Sequence, residues 1–209
     1  MQLRAPAKIN LHLEILGRRS DGFHELETVF QTLDLADFLE VNVRPGASAI
    51  DLTCSDPTVP ADATNLAWRA AAEVLRRRPH AGRVTIRLIK NIPHGAGLGG
   101  GSSDAASVLL SMNAQLAEPL PACELAEIGL DLGSDVPFFL LGGTAHATGR
   151  GEILTALPDL PPTPVTVLIP PVVLPTPTVF KMVTDAERGP RSLRGSTWAA
   201  TTPPADLLH

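Results

Sequence analysis

Apolar and polar residues near the start of the chain repeat with a period of two. Ile9, Leu11, Leu13 and Ile15 alternate with Asn10, His12 and Glu14, the pattern of a half-buried strand ending at Gly17. Lys8 and Asn10 are then expected to project from one face, opposite the apolar set. Further extended runs are predicted from Phe23-His24 to Leu33, from Phe38 to Val43 and from Ile50 to Cys54. The period then lengthens: Asp62 to Asn65 read as the cap of a helix with Ala67, Ala71, Val74 and Leu75 on one stripe. Val84, Ile86 and Leu88 alternate with Thr85, Arg87 and Ile89 as a strand, and Ala105, Val108, Leu109 and Met112 repeat as a helix. Another helix is predicted over about Ala122 to Leu130, and a helix start at Val136-Pro137 after Gly133-Ser134-Asp135. Thr144 to Thr148 and Glu152 to Leu154 read as a hairpin about Gly149-Arg150-Gly151, and Pro164 to Ile169 as a later strand.

Between the strand ending near Ile89 and the helix beginning near Ala105 lies Pro93-His94-Gly95-Ala96-Gly97-Leu98-Gly99-Gly100-Gly101-Ser102-Ser103-Asp104. Glycine reaches φ > 0 and lets backbone approach a ligand, and the following helix presents unpaired N–H groups and a partial positive charge of about half a unit. A strand, a glycine loop and a helix in that order suit an anion, most simply a phosphate. A tight turn without a ligand would need two glycines, and this stretch has five. Gly95 to Gly100 fits G-x-G-x-x-G, yet the acid that a dinucleotide fold needs about 20 residues on falls at Glu118, beside Pro119 and Pro121, where no strand is readable. No Lys-Ser or Lys-Thr closes the loop, and neither His-Arg-Asp nor Asp-Phe-Gly occurs, which excludes a Walker loop and a protein kinase. Ser102 or Ser103 is expected to cap the helix, since a serine oxygen can accept an N–H at its second or third position.

With 209 residues, 44% hydrophobic and 19% charged, the chain can bury a sizeable core as one large domain or two small lobes. Its formal charge of −5 and scattered basic residues exclude a nucleic-acid footprint. The one basic run, Arg76-Arg77-Arg78, reads as a solvated helix end matching the dipole. Cys54 and Cys123 are too few for a disulfide framework and lack neighbours at metal-binding spacing, so both read as small buried or half-buried thiols in a reducing compartment. Met-Gln-Leu-Arg-Ala-Pro carries no long apolar core, and the longest apolar run, Val136 to Leu141, contains Pro137. A cytoplasmic protein without signal peptide or membrane span is expected.

Three separated motifs, in order, carry a family resemblance: Pro6-Ala7-Lys8-Ile9-Asn10-Leu11, then Pro93-x-x-x-Gly97-Leu98-Gly99-Gly100-Gly101-Ser102-Ser103, then Gly133-Ser134-Asp135-Val136-Pro137-Phe138-Phe139. From Met1 to about Lys181 the chain resembles the GHMP small-molecule kinases. The resemblance implies an α+β GHMP kinase fold, with a ribosomal protein S5 domain 2-like, ATP-binding N-terminal lobe over 1–157. It implies ATP and Mg²⁺ as cofactors, with Pro93, Gly95, Gly97, Leu98, Gly99, Gly100, Gly101, Ser102 and Ser103 around the nucleotide. Asn65 and Lys90 would line its adenine side, although read alone they are a helix-start residue and an exposed strand end. Asp135, on spacing alone either a cap or a base, would be the catalytic base, and Lys8, otherwise an exposed lysine, would lie near the acceptor hydroxyl.

The resemblance is to those members whose small-molecule substrate carries a cytidine diphosphate group and is phosphorylated on a 2-hydroxyl, in isoprenoid precursor synthesis. Phe23 would stack on the cytosine and His24 hydrogen-bond its edge, with Asn10 among the substrate contacts and Phe180 closing the base from the other side. Read alone, Phe23 is core and His24 a surface residue. Another family member, acting on homoserine or mevalonate, or an inactive nucleotide-binding fragment, are the alternatives; a monomer or homodimer is expected in either case. Eight prolines between Pro158 and Pro177 mark a change of composition, and 158–209 reads as the start of a C-terminal lobe cut short. The second glycine-serine loop that GHMP kinases carry near the C-terminus is missing before His209.

Overall fold

The computed structural model describes residues 1–79 and 82–169 and the isolated positions 179, 182 and 183. Ten elements follow in order: β1 Gln2–Arg18, β2 His24–Arg44, β3 Ala49–Cys54, α1 Leu66–Arg77, β4 Arg83–Ile89, α2 Gly100–Gln115, α3 Ala122–Leu132, α4 Val136–Leu141, β5 Thr144–Gly149 and β6 Ile153–Leu157. They group into two compact units. One holds Met1–Ala7, Leu33–His94 and Leu98–Leu140; the other holds Lys8–Thr32, Gly95–Gly97 and the described residues from Leu141 on. The long strands β1 and β2, which pair with each other, each run from one unit into the other.

In the first unit β4 pairs antiparallel with the second half of β2, from Phe38 opposite Ile89 to Arg44 opposite Arg83. Its other neighbour is β3, in parallel register from Ala49 opposite Arg83 to Cys54 opposite Leu88. Parallel strands need a crossover, and α1 supplies it. The predicted alternation in β4 is observed: Val84, Ile86 and Leu88 are buried, while Arg83, Thr85, Arg87 and Ile89 are exposed. Asn65 caps α1, its Oδ1 accepting from the Ala67 N–H at 2.9 Å, and Ala67, Ala70, Ala71, Val74 and Leu75 form the buried stripe. The small side chains of α1 and α2 let the two helices pack together, with α3 against both.

The second unit is antiparallel. β5 pairs with the first half of β2, from Leu26 opposite Gly149 to Gln31 opposite Thr144, and β6 pairs with β5. The predicted hairpin is present, and Gly149 and Gly151 adopt φ values of 74° and 103° that only glycine takes readily. Inside this unit His146 Nε2 lies 2.9 Å from Glu27 Oε1, and Thr144 Oγ1 donates to Gln31 Oε1 at 2.6 Å.

Four expectations are corrected. The runs to Leu33 and from Phe38 are one 21-residue strand, β2. Asp37, of a type depleted in strands, is fully buried within it, its carboxylate accepting from the backbone of Asn91 and Ile92. Pro164 to Ile169 is not a strand; residues 158–169 carry no regular structure, as expected where Pro161, Pro162 and Pro164 offer no N–H. Neither serine caps α2: the cap is Gly99 at φ 71°, without a side-chain bond, and the helix starts at Gly100, so Ser102 and Ser103 lie inside it. Cys123 is exposed, while Cys54 is half-buried. Phe180 lies outside the described residues. Among the described residues no helix is long and apolar enough to cross a membrane.

Candidate active site

Around the glycine loop, three glycines spaced by two, Gly95, Gly97 and Gly99, have φ of 71°, 73° and 71°. A side chain at any of them would be strained, which explains the residue type at each position. Leu98 is buried between the latter two, and Pro93 is half-buried at the loop entrance. The α2 ladder begins with Ser103 N donating to Gly99 O at 2.9 Å, which leaves the N–H groups of Gly100, Gly101 and Ser102 outside it. A Cβ on Gly100 would stand 3.0 Å from Ile92 Cγ2 and 3.3 Å from Lys90 Nζ, a fit in which those side chains would have to give by a few tenths of an ångström. A Cβ on Gly101 would stand at an ordinary 3.7 Å from Leu66 Cδ1 of α1. Ser103 Oγ is buried and makes no hydrogen bond among the described residues, and Ser102 is half-buried.

Beneath the loop is a group of charges that the sequence did not reveal as a group. Lys90 Nζ donates to Asp104 Oδ2 at 2.7 Å and to Asp37 Oδ2, and all three side chains are at most 6% exposed. Burial pulls the Lys90 ammonium down, and the two carboxylates more than reverse that, leaving it above its ordinary value. Burial likewise pushes Asp104 up to about 7; Lys90 offsets this in part and Asp37 adds to it. Lys90 is therefore not the exposed strand end that its position suggests. Asn65 is also engaged, since its Nδ2 donates to Pro60 O at 2.7 Å while its Oδ1 caps α1.

Asp135 stands where the sequence places it, in the turn between α3 and α4. Val136 N donates to Gly133 O at 3.1 Å, and the buried Val136, Pro137, Phe138 and Phe139 anchor the short helix behind it.

In the second unit Lys8 is 7% exposed, and its Nζ donates to Asn10 Oδ1 at 2.8 Å. Asn10 Nδ2 donates to Thr28 Oγ1 at 2.8 Å, and Thr28 Oγ1 donates to His12 O at 2.5 Å. The same ammonium lies 5.2 Å from the centre of the Phe30 ring. Lys8 and Asn10 do share a face, but Lys8 is buried and Leu13 is 46% exposed, against the alternation, while Ile9, Leu11 and Ile15 are half-buried. Phe23 is 49% exposed, at the end of a turn closed by Phe23 N donating to Asp21 Oδ1 at 3.1 Å. One face of its ring is covered by the Arg150 guanidinium, 4.5 Å from the centroid. His24 follows as the first, half-buried residue of β2. Thr28 and Arg150 had no signal in the sequence, because strand pairing brings them in from elsewhere in the chain.

Residues 65–143 match the family model described as the GHMP kinases N terminal domain. A crystal structure of 4-(cytidine 5'-diphospho)-2C-methyl-D-erythritol kinase is 45% identical in sequence, with a TM-score of 0.79 over 91% of this chain and 67% of that one. The chain belongs to the GHMP kinase family. The 4-diphosphocytidyl-2-C-methyl-D-erythritol kinase of Solibacter usitatus is 54% identical over 160 residues, which are 76% of this chain and 49% of that protein. The chain spans about half the length of the curated relatives it matches. The Methanococcus jannaschii mevalonate kinase, 14% identical, has a TM-score of 0.56 over 76% of this chain and 56% of that one, a likeness of fold.

The loop fits a nucleotide phosphate, because its left-handed glycines keep side chains away from a cradle of backbone N–H groups. Among the described residues no three His, Cys, Asp or Glu side chains gather to hold a metal. Magnesium takes oxygen ligands, and Ser103 Oγ, buried and without a hydrogen bond among the described residues, has the chemistry to meet one directly or through water.

Proposed function

We propose that the chain provides the nucleotide-binding part of a cytoplasmic kinase that transfers the γ-phosphoryl of ATP to the 2-hydroxyl of 4-diphosphocytidyl-2-C-methyl-D-erythritol. The observation that carries this reading is identity of 45–54% to proteins bearing that kinase name, well above the 14–20% shared with other kinases of the fold. The left-handed glycines and the start of α2, with Pro93 and Leu98 setting the loop, take the phosphates. Asn65 and Lys90, whose polar ends are engaged elsewhere, offer the adenine their side-chain stems. Asp135 accepts the proton of the attacking hydroxyl, and Lys8, oriented by Asn10, stabilises the oxygen as charge develops on it. Charge on the transferring group is neutralised by Mg²⁺ held near Ser102 or Ser103 together with the loop amides. Phe23 stacks on the cytosine, with His24, and with Phe180 beyond the described residues, completing the base site.

A coupled assay of ADP release tests this directly, with ATP, Mg²⁺ and the cytidine substrate. ADP formed only when that substrate is present supports the reading, and homoserine or mevalonate should release none. ATP binding without turnover of any of the three would leave a nucleotide-binding fragment instead.

A further inference from the structure

The buried charges beneath the loop are poorly arranged for stability alone. Two carboxylates share one ammonium, and Asp104 Oδ1 has no hydrogen-bond partner among the described residues. Apolar residues of similar volume usually fill such a place with equal or better stability, whereas a buried ionic network can fix one arrangement over others. What this network fixes can be read from its connections. Lys90 directly follows β4, at the entrance of the loop. Asp104 is the fifth residue of α2, beyond the exit of the loop, and the 2.7 Å contact joins the two. Asp37 holds the next residues, its Oδ1 accepting from Asn91 N at 2.5 Å and Ile92 N at 2.8 Å, and Ile92 packs where a Gly100 side chain would be. Glycines spaced as these are cannot fix their own conformation, so the loop depends on its ends for shape.

We propose that Asp104, acting through Lys90 and Asp37, is a positioning residue for nucleotide binding: it holds the start of α2 against the loop entrance so that the backbone N–H groups converge on one phosphate. The proposal rests on the phosphate-loop reading. Asp104→Ala cuts the link to the helix and leaves Lys90 and Asp37 as a simple pair, so no charge is stranded. Calorimetry on the 209-residue chain should show ATP affinity at least about tenfold weaker for this variant, with adenosine, which has no phosphate, within about twofold of wild type. Asp104→Asn keeps an oxygen for Lys90 and should restore ATP affinity to within about threefold of wild type. In turnover the loss should appear in KM for ATP and not in kcat. If the alanine variant does not fold, Asp104→Leu keeps the volume and is read in the same way. Unchanged ATP affinity, or ATP and adenosine weakened in parallel, overturns the proposal. A wild-type chain that does not bind ATP at all overturns the phosphate-loop reading and this inference with it, a result distinct from a wild type that binds and a variant that binds equally well.

Discussion

Among the described residues Lys8 and Lys90 both have buried side chains, and they belong to different units. Lys90, beneath the glycine loop, donates to two carboxylates of its own unit. Lys8, in the other unit, donates to the neutral amide of Asn10, which is itself held by Thr28 and the His12 carbonyl. Removing Lys90 strands two buried acids, and an unpaired buried charge is among the most destabilising defects a core can carry. Removing Lys8 takes a donor from the Asn10 amide oxygen, a neutral acceptor that can take water instead. The difference separates a lysine that shapes the protein from one that is proposed to act on a substrate.

That separation can be broken by experiment, and the proposed chemistry offers the largest effects. Lys8→Met is expected to lower kcat by about 10²–10³-fold and Asp135→Asn by about 10²–10⁴-fold, both with ATP affinity within about threefold of wild type. The measurements are steady-state turnover in the ADP-release assay and calorimetric titration with ATP. A variant of either kind keeping more than about a tenth of the wild-type rate removes that residue from the chemistry.

Lys90→Met should do the opposite. Its expected cost is about 3–5 kcal/mol of unfolding free energy, read from urea denaturation, because Asp37 and Asp104 are then buried together without a cation. If Lys90→Met leaves the unfolding free energy unchanged, the structural role drawn from its two carboxylates is wrong.

Sequence reading fared unevenly across these regions, for physical reasons. The glycine loop was legible because left-handed backbone is demanded residue by residue and only glycine meets the demand cheaply, so Gly95, Gly97 and Gly99 announce it. The α1 cap at Asn65 was legible for the same local reason. The serine caps were misjudged because Gly99 already turns the chain, which moves the helix start ahead of both hydroxyls. The network of Asp37, Lys90 and Asp104 was not legible at all. Its members come from a strand, a loop entrance and a helix, and only the register of Phe38 against Ile89 sets Asp37 close to Lys90. Phe23 and Arg150 meet in the same way, through the pairing of β2 with β5.

The titration of Asp104 sharpens the account of the charged network. Burial holds its pKa at about 7, above the ordinary value of 3.8, so over that range the folded chain keeps a proton that the unfolded chain releases. Stability from this group is therefore full below about pH 4 and falls as pH rises to about 7. Lys90 and Asp37 are the charged groups facing it, and neither is altered in Asp104→Asn, so the difference in Tm between wild type and that variant isolates the effect. The difference should shift in favour of the asparagine between about pH 4 and pH 7 and then level off. A difference that is flat with pH means that Asp104 is ionised throughout and Lys90 compensates it fully.

The smallest effects concern the aromatic ring of the second unit, where the outcome depends on whether Phe23 is core or contact. With half of its surface open, Phe23 is too exposed to support the fold in the way Phe30 or Phe138 does, at 2% and 0%. Phe23→Ala should therefore leave Tm nearly unchanged. Loss of base stacking should raise KM for the cytidine substrate by about 1–3 kcal/mol equivalent, or roughly five- to more than a hundred-fold, with KM for ATP unaffected. Arg150 covers one face of the ring, which leaves the other for a base and adds a cation–π contact worth about 0.5–1 kcal/mol at an exposed site. Arg150→Ala should accordingly raise the same KM by about two- to fivefold, and in the double variant with Phe23→Ala it should add nothing, because its effect passes through the ring. Additive losses in the double variant would mean that Arg150 meets the substrate independently. A fall in Tm with unchanged KM in Phe23→Ala would return the ring to the core and leave the cytidine assignment resting on sequence similarity alone.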